Sequence, residues 1–269
     1  MPDLHRIDGK EVGCLGLGGT PNTRPQIVDR AFRLGIDYFF FYSLRFEGMI
    51  EGVASLCRRH REGVFVATGD ESREPTEMVN VRDNALASLG TPELDVFYVE
   101  YVSPKDSWDA VIGALAEVSE WKARGLVRYV GASAHDRDLA GKIVETGLVD
   151  VLMHRYNMAH RKSEDTALPK AQAANVPVVA FTCTRWGSLL KGHPDWTGRR
   201  PTASECYQFA LSHRSVRIAM TAPETIRKLE ENVSGTVGEQ MSPDNLQAWS
   251  EYGDLVYGEG TDAFETRWP

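Results

Sequence analysis

Eight short apolar runs alternate along the chain with amphipathic stretches, and this rhythm constrains the fold more than any other feature. The runs are Cys14–Gly19, Tyr38–Phe41, Val64–Thr68, Val96–Val99, Tyr129–Ala132, Val151–Met153, Val178–Thr182 and Val216–Met220. They are rich in Val, Phe, Tyr and Ile, and continuous rather than alternating. A strand with one wet face alternates apolar and polar residues, whereas a strand covered on both faces does not. The runs therefore read as parallel strands buried between an inner core and an outer helical layer.

Helical patterns fill the gaps. Arg24–Leu34 puts Ile27, Ala31 and Leu34 on one face, and Ala110–Ala123 carries Val111, Leu115, Val118 and Trp121 at helical spacing. Gly125 follows as a C-terminal cap. Asp136 is placed to cap the helix after the fifth strand, and Thr202 with Glu205 three residues on forms a capping box before Ala203–Ser212. Eight strand–helix alternations predict an α/β fold, a closed (β/α)8 TIM barrel rather than an open doubly wound sheet. The 269 residues suit one such barrel, which typically fills about 250. The chain 1–269 thus reads as a single domain. Lys191–Arg200 is a Pro/Gly-rich loop after the seventh strand, and 238–269 is a tail with one amphipathic helix, Pro243–Tyr257, and a polar end.

The formal net charge of -8 disfavours nucleic acid and anionic membranes as partners and leaves a small-molecule substrate. Cys14, Cys57, Cys183 and Cys206 are scattered without a CxxC pair, so neither a metal site nor a disulfide framework is expected. The start MPDLHRIDGK has no apolar run and is not read as a signal peptide. No stretch of about 18 apolar residues occurs. A cytoplasmic protein is expected.

Several motifs then fall in order at consistent separations. They are Gly16-Leu17-Gly18-Gly19 in the first strand, Leu94-Asp95 before the fourth, and the helix–Gly–strand run Glu117–Ser133. Arg155-Tyr156-Asn157 follows the sixth strand, and Glu231-Asn232 lies in the last barrel helix. Together they cover Val12 to Ala248, and the chain resembles the aldo-keto reductases. That resemblance implies a nicotinamide cofactor and an Asp–Tyr–Lys–His tetrad. The tetrad positions here carry other residues. The Asp falls on Phe40, the Tyr at or beside Arg45 with Leu44 and Phe46 around it, the Lys on Gly69 and the His on Glu100. Met153 stands where a Gln usually grips the nicotinamide amide. The resemblance also implies cofactor contacts at Ser133, at Phe181 in place of a stacking Tyr, at Lys228 near a 2′-phosphate and at Asn232 near adenine. Ala222-Pro223 stands where many relatives carry a Lys-Ser pair or an anion nest. NADP binding is one expectation and no cofactor the other.

Barrel enzymes act at the C-terminal ends of their strands. Candidates there are Glu100 as general acid or base, with Tyr42 or His135 as its partner. Arg45, Asp70, His154, Arg155, Arg185 and Trp186 are candidate substrate contacts, the arginines for a carboxylate or phosphate. Cys183 requires a neighbouring base to act as a nucleophile. Asp70, Glu71 and Glu74 read as a solvated loop rather than a metal cage.

Losing Tyr, Lys, Asp and His together removes a unit that works only as a unit. The leading expectation is therefore a barrel that has lost hydride transfer. It would run dehydration, elimination, isomerisation or cyclisation on a small polar or anionic substrate. An alternative is an NADPH-dependent carbonyl oxidoreductase with Tyr42 or Glu100 as a non-standard proton donor. A further alternative is a non-catalytic binding barrel, marked by a mouth packed shut with Phe39, Phe41, Trp186 and Trp196. Glu100 facing the helices would end the first reading.

Overall fold

The computed structural model describes residues 4–238 and 240–260. Its strands are β1 (Leu15–Gly18), β2 (Tyr38–Phe41), β3 (Phe65–Asp70), β4 (Leu94–Val102), β5 (Val127–Ala134), β6 (Val151–Arg155), β7 (Val178–Phe181) and β8 (Val216–Thr221). All pair in parallel with their chain neighbours, and β8 returns to β1, closing the predicted barrel. The outer layer is α1 (Pro25–Arg33), α2 (Glu47–His60), α3 (Pro75–Leu89), α4 (Trp108–Ala123), α5 (Arg137–Glu145), α6 (Ala167–Ala173), α7 (Ala203–Ser212) and α8 (Ile226–Thr236). Asp136 caps α5 by accepting from the Leu139 amide, and the Thr202–Glu205 capping box closes the start of α7.

The continuous apolar runs are explained by burial on both faces. Tyr38, Phe65, Val96, Tyr98, Val151, Val179 and Ile218 fill the barrel interior. Their chain neighbours Phe39, Phe41, Val66, Phe97 and Leu152 pack against the helices. Inside, the Tyr38 and Tyr98 hydroxyls share a 2.7 Å hydrogen bond. Gly131 makes room for the Tyr98 ring, because a Cβ there would lie 2.4 Å from it. Alternation along β4 then carries the inward face from Val96 through Tyr98 to Glu100.

The C-terminal helix α9 (Pro243–Tyr257) covers the loops after β6 and β7. Tyr252 donates to the Leu189 carbonyl at 2.6 Å, and Arg161 pairs with Asp254 at 2.5 Å. The predicted polar end, 261–269, lies outside the described residues. Among those described, no helix is long and apolar enough to cross a membrane.

Candidate active site

Glu100 sits on an irregularity in the sheet. The β4–β5 register shifts between Val99 and Val102, so Glu100 and Tyr101 form a bulge of the kind that re-aims side chains at barrel rims. Tyr101 has φ +52°, and its amide leaves the ladder to donate to Ser133 Oγ at 2.8 Å. Thr182, Arg185 and Trp186, in the loop after β7, also have positive φ, near +50°. Backbone strain therefore concentrates at the C-terminal mouth, where function commonly stores it.

The Glu100 side chain turns into the barrel and is 5% exposed. It occupies space that a residue other than glycine at 69 would claim. A Cβ on Gly69 would lie 2.6 Å from both Glu100 Cγ and Oε1, and 2.3 Å from the Tyr98 carbonyl oxygen. Glu100 Oε1 is buried without a hydrogen-bond partner. Burial is the main force raising the carboxyl well above the usual range, and the charges of Glu71 and Asp70 add to it. Arg73 opposes the rise, but its guanidinium bonds the Glu100 main-chain oxygen at 2.8 Å and Asp106 at 3.2 Å. Its surroundings thus bias the Glu100 carboxyl toward the protonated form.

Above it opens a cavity of 1380 Å³. Glu100, Tyr42, His135, Ser133, Phe181, Trp186, Lys228 and Asn232 all line it, so eight predicted residues meet in one place. Its floor is Phe40, Met153 and Met220; from there it runs past the starts of α7 and α8 to Met241, Ser242 and Asn245 by α9. Phe39 and Phe41 face the helices and do not plug the mouth. Tyr42 and Trp186 stand at the rim, about half exposed, and the Tyr42 ring meets Phe46 edge-on.

The other predicted residues lie elsewhere. Arg45 is exposed and does not line the cavity. His154 faces away from Met153, as strand alternation requires, and its Nδ1 meets the Ala134 carbonyl at 2.8 Å. Arg185 donates to the Val256 carbonyl of α9 at 2.7 Å and tethers that helix instead of lining the mouth. Asp70 acts on Glu100 through its charge without lining the cavity. Arg155 and His154 line a smaller cleft of 120 Å³ that shares His135 with the mouth.

The electrostatics sort the roles. Burial, aided by the Arg155 charge, lowers His135 to about 3, so its ring favours the neutral form at ordinary pH. The ring is held edge-on between Tyr101 and Phe181, at 5.1 and 4.8 Å. Burial lifts the Cys183 thiol to about 12, which removes it as a nucleophile. Lys228 is paired with Glu224 at 2.8 Å. Asn232 Nδ2 donates to Thr221 Oγ1, which in turn donates to the Tyr207 hydroxyl. Among the described residues, no three His, Cys, Asp or Glu side chains are grouped to hold a metal ion.

Sequence reasoning missed Glu71, Tyr207, Thr221, Met241 just before α9 and Asn245 in its first turn as parts of this wall. The capping signal at Thr202 fixed the start of α7. Continuing its helical period from there would have placed Tyr207 and Gln208 beside the groove.

The sequence profile of the Aldo/keto reductase family matches residues 18–201. The chain belongs to that family. An uncharacterized oxidoreductase of Bacillus subtilis, YqkF, is 22% identical over 285 residues, spanning 90% of this chain and 92% of that protein. The holo form of aldo-keto reductase AKR11C1 from Bacillus halodurans superposes with a TM-score of 0.77 at 19% identity, over 94% of this chain and 97% of its own. An aldo/keto reductase from Klebsiella pneumoniae, solved in complex with NADP and acetate, gives 0.74 at 16% identity, over 94% and 96%.

Proposed function

We propose that this chain is a nicotinamide-dependent carbonyl oxidoreductase in which Glu100 delivers the proton to the substrate oxygen. The observation that carries the reading is the buried Glu100 carboxyl with an uncommitted Oε1, facing the cavity, its pKa raised by that burial. A protonated carboxyl in an apolar site is a hydrogen-bond donor poised as a general acid. It stands where the resemblance places the His of the tetrad, while Gly69 and Phe40 stand at two of the other positions.

The residues present fit a dinucleotide. The 1380 Å³ cavity exceeds the roughly 300–1,000 Å³ of a pocket for one drug-sized ligand, as a cofactor plus a substrate requires. Phe181 offers a flat apolar wall, Ser133 and Asn232 offer polar contacts, and the starts of α7, α8 and α9 converge along the groove. Helix N-termini favour anionic groups such as a pyrophosphate. Bound there, a nicotinamide would supply the hydride to the carbonyl carbon. Glu100 holds the proton destined for the oxygen, and the neutral His135 ring flanks the same space. Glu71 stands exposed at the lip of that cavity.

Dehydration or elimination would use Glu100 in the same acid role but has no need of a groove reaching α9. That reach, together with the oxidoreductase names of the relatives, favours reduction over the non-redox chemistry expected first. A non-catalytic barrel is disfavoured by the open mouth. The test is direct titration of the protein with NADH and NADPH by calorimetry and by quenching of tryptophan fluorescence. Saturable binding in the micromolar range is expected, and absence of binding at millimolar cofactor would remove the reading.

A further inference from the structure

The described walls of the large cavity carry five glutamates, Glu71, Glu100, Glu205, Glu224 and Glu231, against one lysine, Lys228. Three of the five are matched by cations. Glu205 accepts from Arg199 at 2.7 Å, Glu224 pairs with Lys228 at 2.8 Å, and Glu231 pairs with Arg227 at 2.8 Å. All three lie along the groove beside α7 and α8. The two at the mouth are different. Glu71 directly follows β3, stands exposed at the lip, and its carboxylate is bonded by no described residue. Glu100 is 5% exposed and keeps Oε1 without a partner. Arg73, the cation that acts on Glu100, directs its Nη donors to the main-chain oxygens of Glu71 and Glu100, each at 2.8 Å, and to Asp106 at 3.2 Å. Neither mouth carboxyl receives one.

A second observation sets what stands beside that charge. The mouth is walled by Phe40, Tyr42, Phe181, Met153 and Met220, rings and thioethers that suit an apolar body. Tyr42 is 54% exposed at the rim, and the face of an aromatic ring attracts a cation. The charges of Glu71 and Asp70 already act on the Glu100 carboxyl, and Asp70 has a buried Oδ2 without a partner. An anion entering here would meet the same repulsion that raises Glu100. The anionic substrate expected from Arg45, Arg155 and Arg185 finds none of them on this wall, since not one of the three lines the cavity.

We propose that the mouth selects a positively charged substrate, an amine-bearing carbonyl compound with an apolar, ring-sized body. Glu71 and the Tyr42 ring hold its cation at the lip, and its carbonyl oxygen meets Glu100. The assignment to a substrate rests on the reading of the mouth as a site of carbonyl reduction; the preference for a cation does not. The two are therefore tested apart.

The experiment titrates the full chain, without nicotinamide, with benzylamine, benzyl alcohol and benzoate at neutral pH. These share one ring and are positive, neutral and negative in turn. Calorimetry gives the affinities, and tryptophan fluorescence reports location through Trp186, which lines the same cavity. Benzylamine is expected to bind several-fold more tightly than benzyl alcohol and at least tenfold more tightly than benzoate, with the gap narrowing as salt is added. Glu71→Gln brings benzylamine to the level of benzyl alcohol, and Tyr42→Leu weakens benzylamine the more of those two. Glu51→Gln on α2 leaves all three affinities unchanged, and Trp186→Phe removes the fluorescence response. Equal affinities, a tighter benzoate or the absence of saturable benzylamine binding overturns the proposal. So does a benzylamine preference that survives Glu71→Gln, or a fluorescence response that survives Trp186→Phe, because the cation would then be held elsewhere. Titration with NADH separates this outcome from the proposed reaction. The expected order in a chain that takes up no nicotinamide keeps the cation site and removes its assignment to a reduced substrate. Nicotinamide uptake with a tighter benzoate keeps the reduction and removes the cation site.

Discussion

Replacing Glu100 by Gln separates the roles of this side chain. Gln has the same shape, keeps the contact over Gly69 and still donates an N–H hydrogen bond, but it has no proton to give. General acid catalysis by a positioned group contributes about 10²–10⁴-fold, so kcat falls by that factor, equivalent to about 3–5 kcal/mol of barrier. KM changes little, since the amide still orients a carbonyl. Stability moves the other way. The folded pKa of Glu100 lies above the unfolded value near 4.5, so the stabilising proton is fully in place below 4.5 and is lost as pH rises through the folded pKa. Gln does not titrate, and E100Q therefore gains on wild type as the solution becomes more alkaline. The assay is steady-state reduction of a panel of small aldehydes and ketones from acid to alkaline pH, with thermal unfolding of both proteins in the same buffers. Wild type shows an alkaline fall in kcat that E100Q lacks. A variant with comparable turnover and the same alkaline limb would refute the proton-donor role and return attention to Tyr42.

Three further outcomes follow from particular contacts. Gly69→Ala sets a Cβ 2.3 Å from the Tyr98 carbonyl oxygen and 2.6 Å from the Glu100 carboxyl; chemical denaturation should show a loss of about 1–3 kcal/mol, only partly recovered by adding Glu100→Ala because the carbonyl cannot withdraw. His154 is lowered from 6.5 to about 4 by burial, so the unfolded chain takes its proton first and stability drops as pH falls from 6.5 toward 4; the shift is worth about 3 kcal/mol, and unfolding curves of His154→Gln should lack that share of the acid sensitivity. Glu224→Gln frees Lys228 from an exposed ion pair of 2.8 Å; solvent screens such pairs strongly, so titration should show the NADPH-to-NADH affinity ratio rising by no more than several-fold.

The barrel was legible because its signal is repeated. Each strand announces itself by a run buried on both faces, and eight such runs admit few closures. The mouth was legible where a residue shares parity with an unmistakable core residue. Glu100 lies two residues beyond Tyr98 and Phe181 two beyond Val179, and both point inward with them. His154 failed by the same rule applied one residue off, since Met153 already held the inward position. Arg185 failed for a different reason. Its place is set by a loop with three positive-φ residues other than glycine and by a helix some 70 residues later, and no local pattern records either.

Gly69 and Glu100 show why the two levels of reading must be joined. Taken one at a time, by resemblance alone, the first stands where a lysine is expected and the second where a histidine is expected. In space they are one arrangement, because the Glu100 carboxyl lies where a Gly69 side chain would begin, against a main-chain carbonyl that cannot move. A lysine at 69 and a glutamate folded into this position exclude each other sterically. Introducing a side chain at 69 therefore requires a change at 100 as well. Gly69→Lys alone is expected to fail on packing whatever its chemistry, since Glu100 has room to turn inward only beside a residue with no side chain.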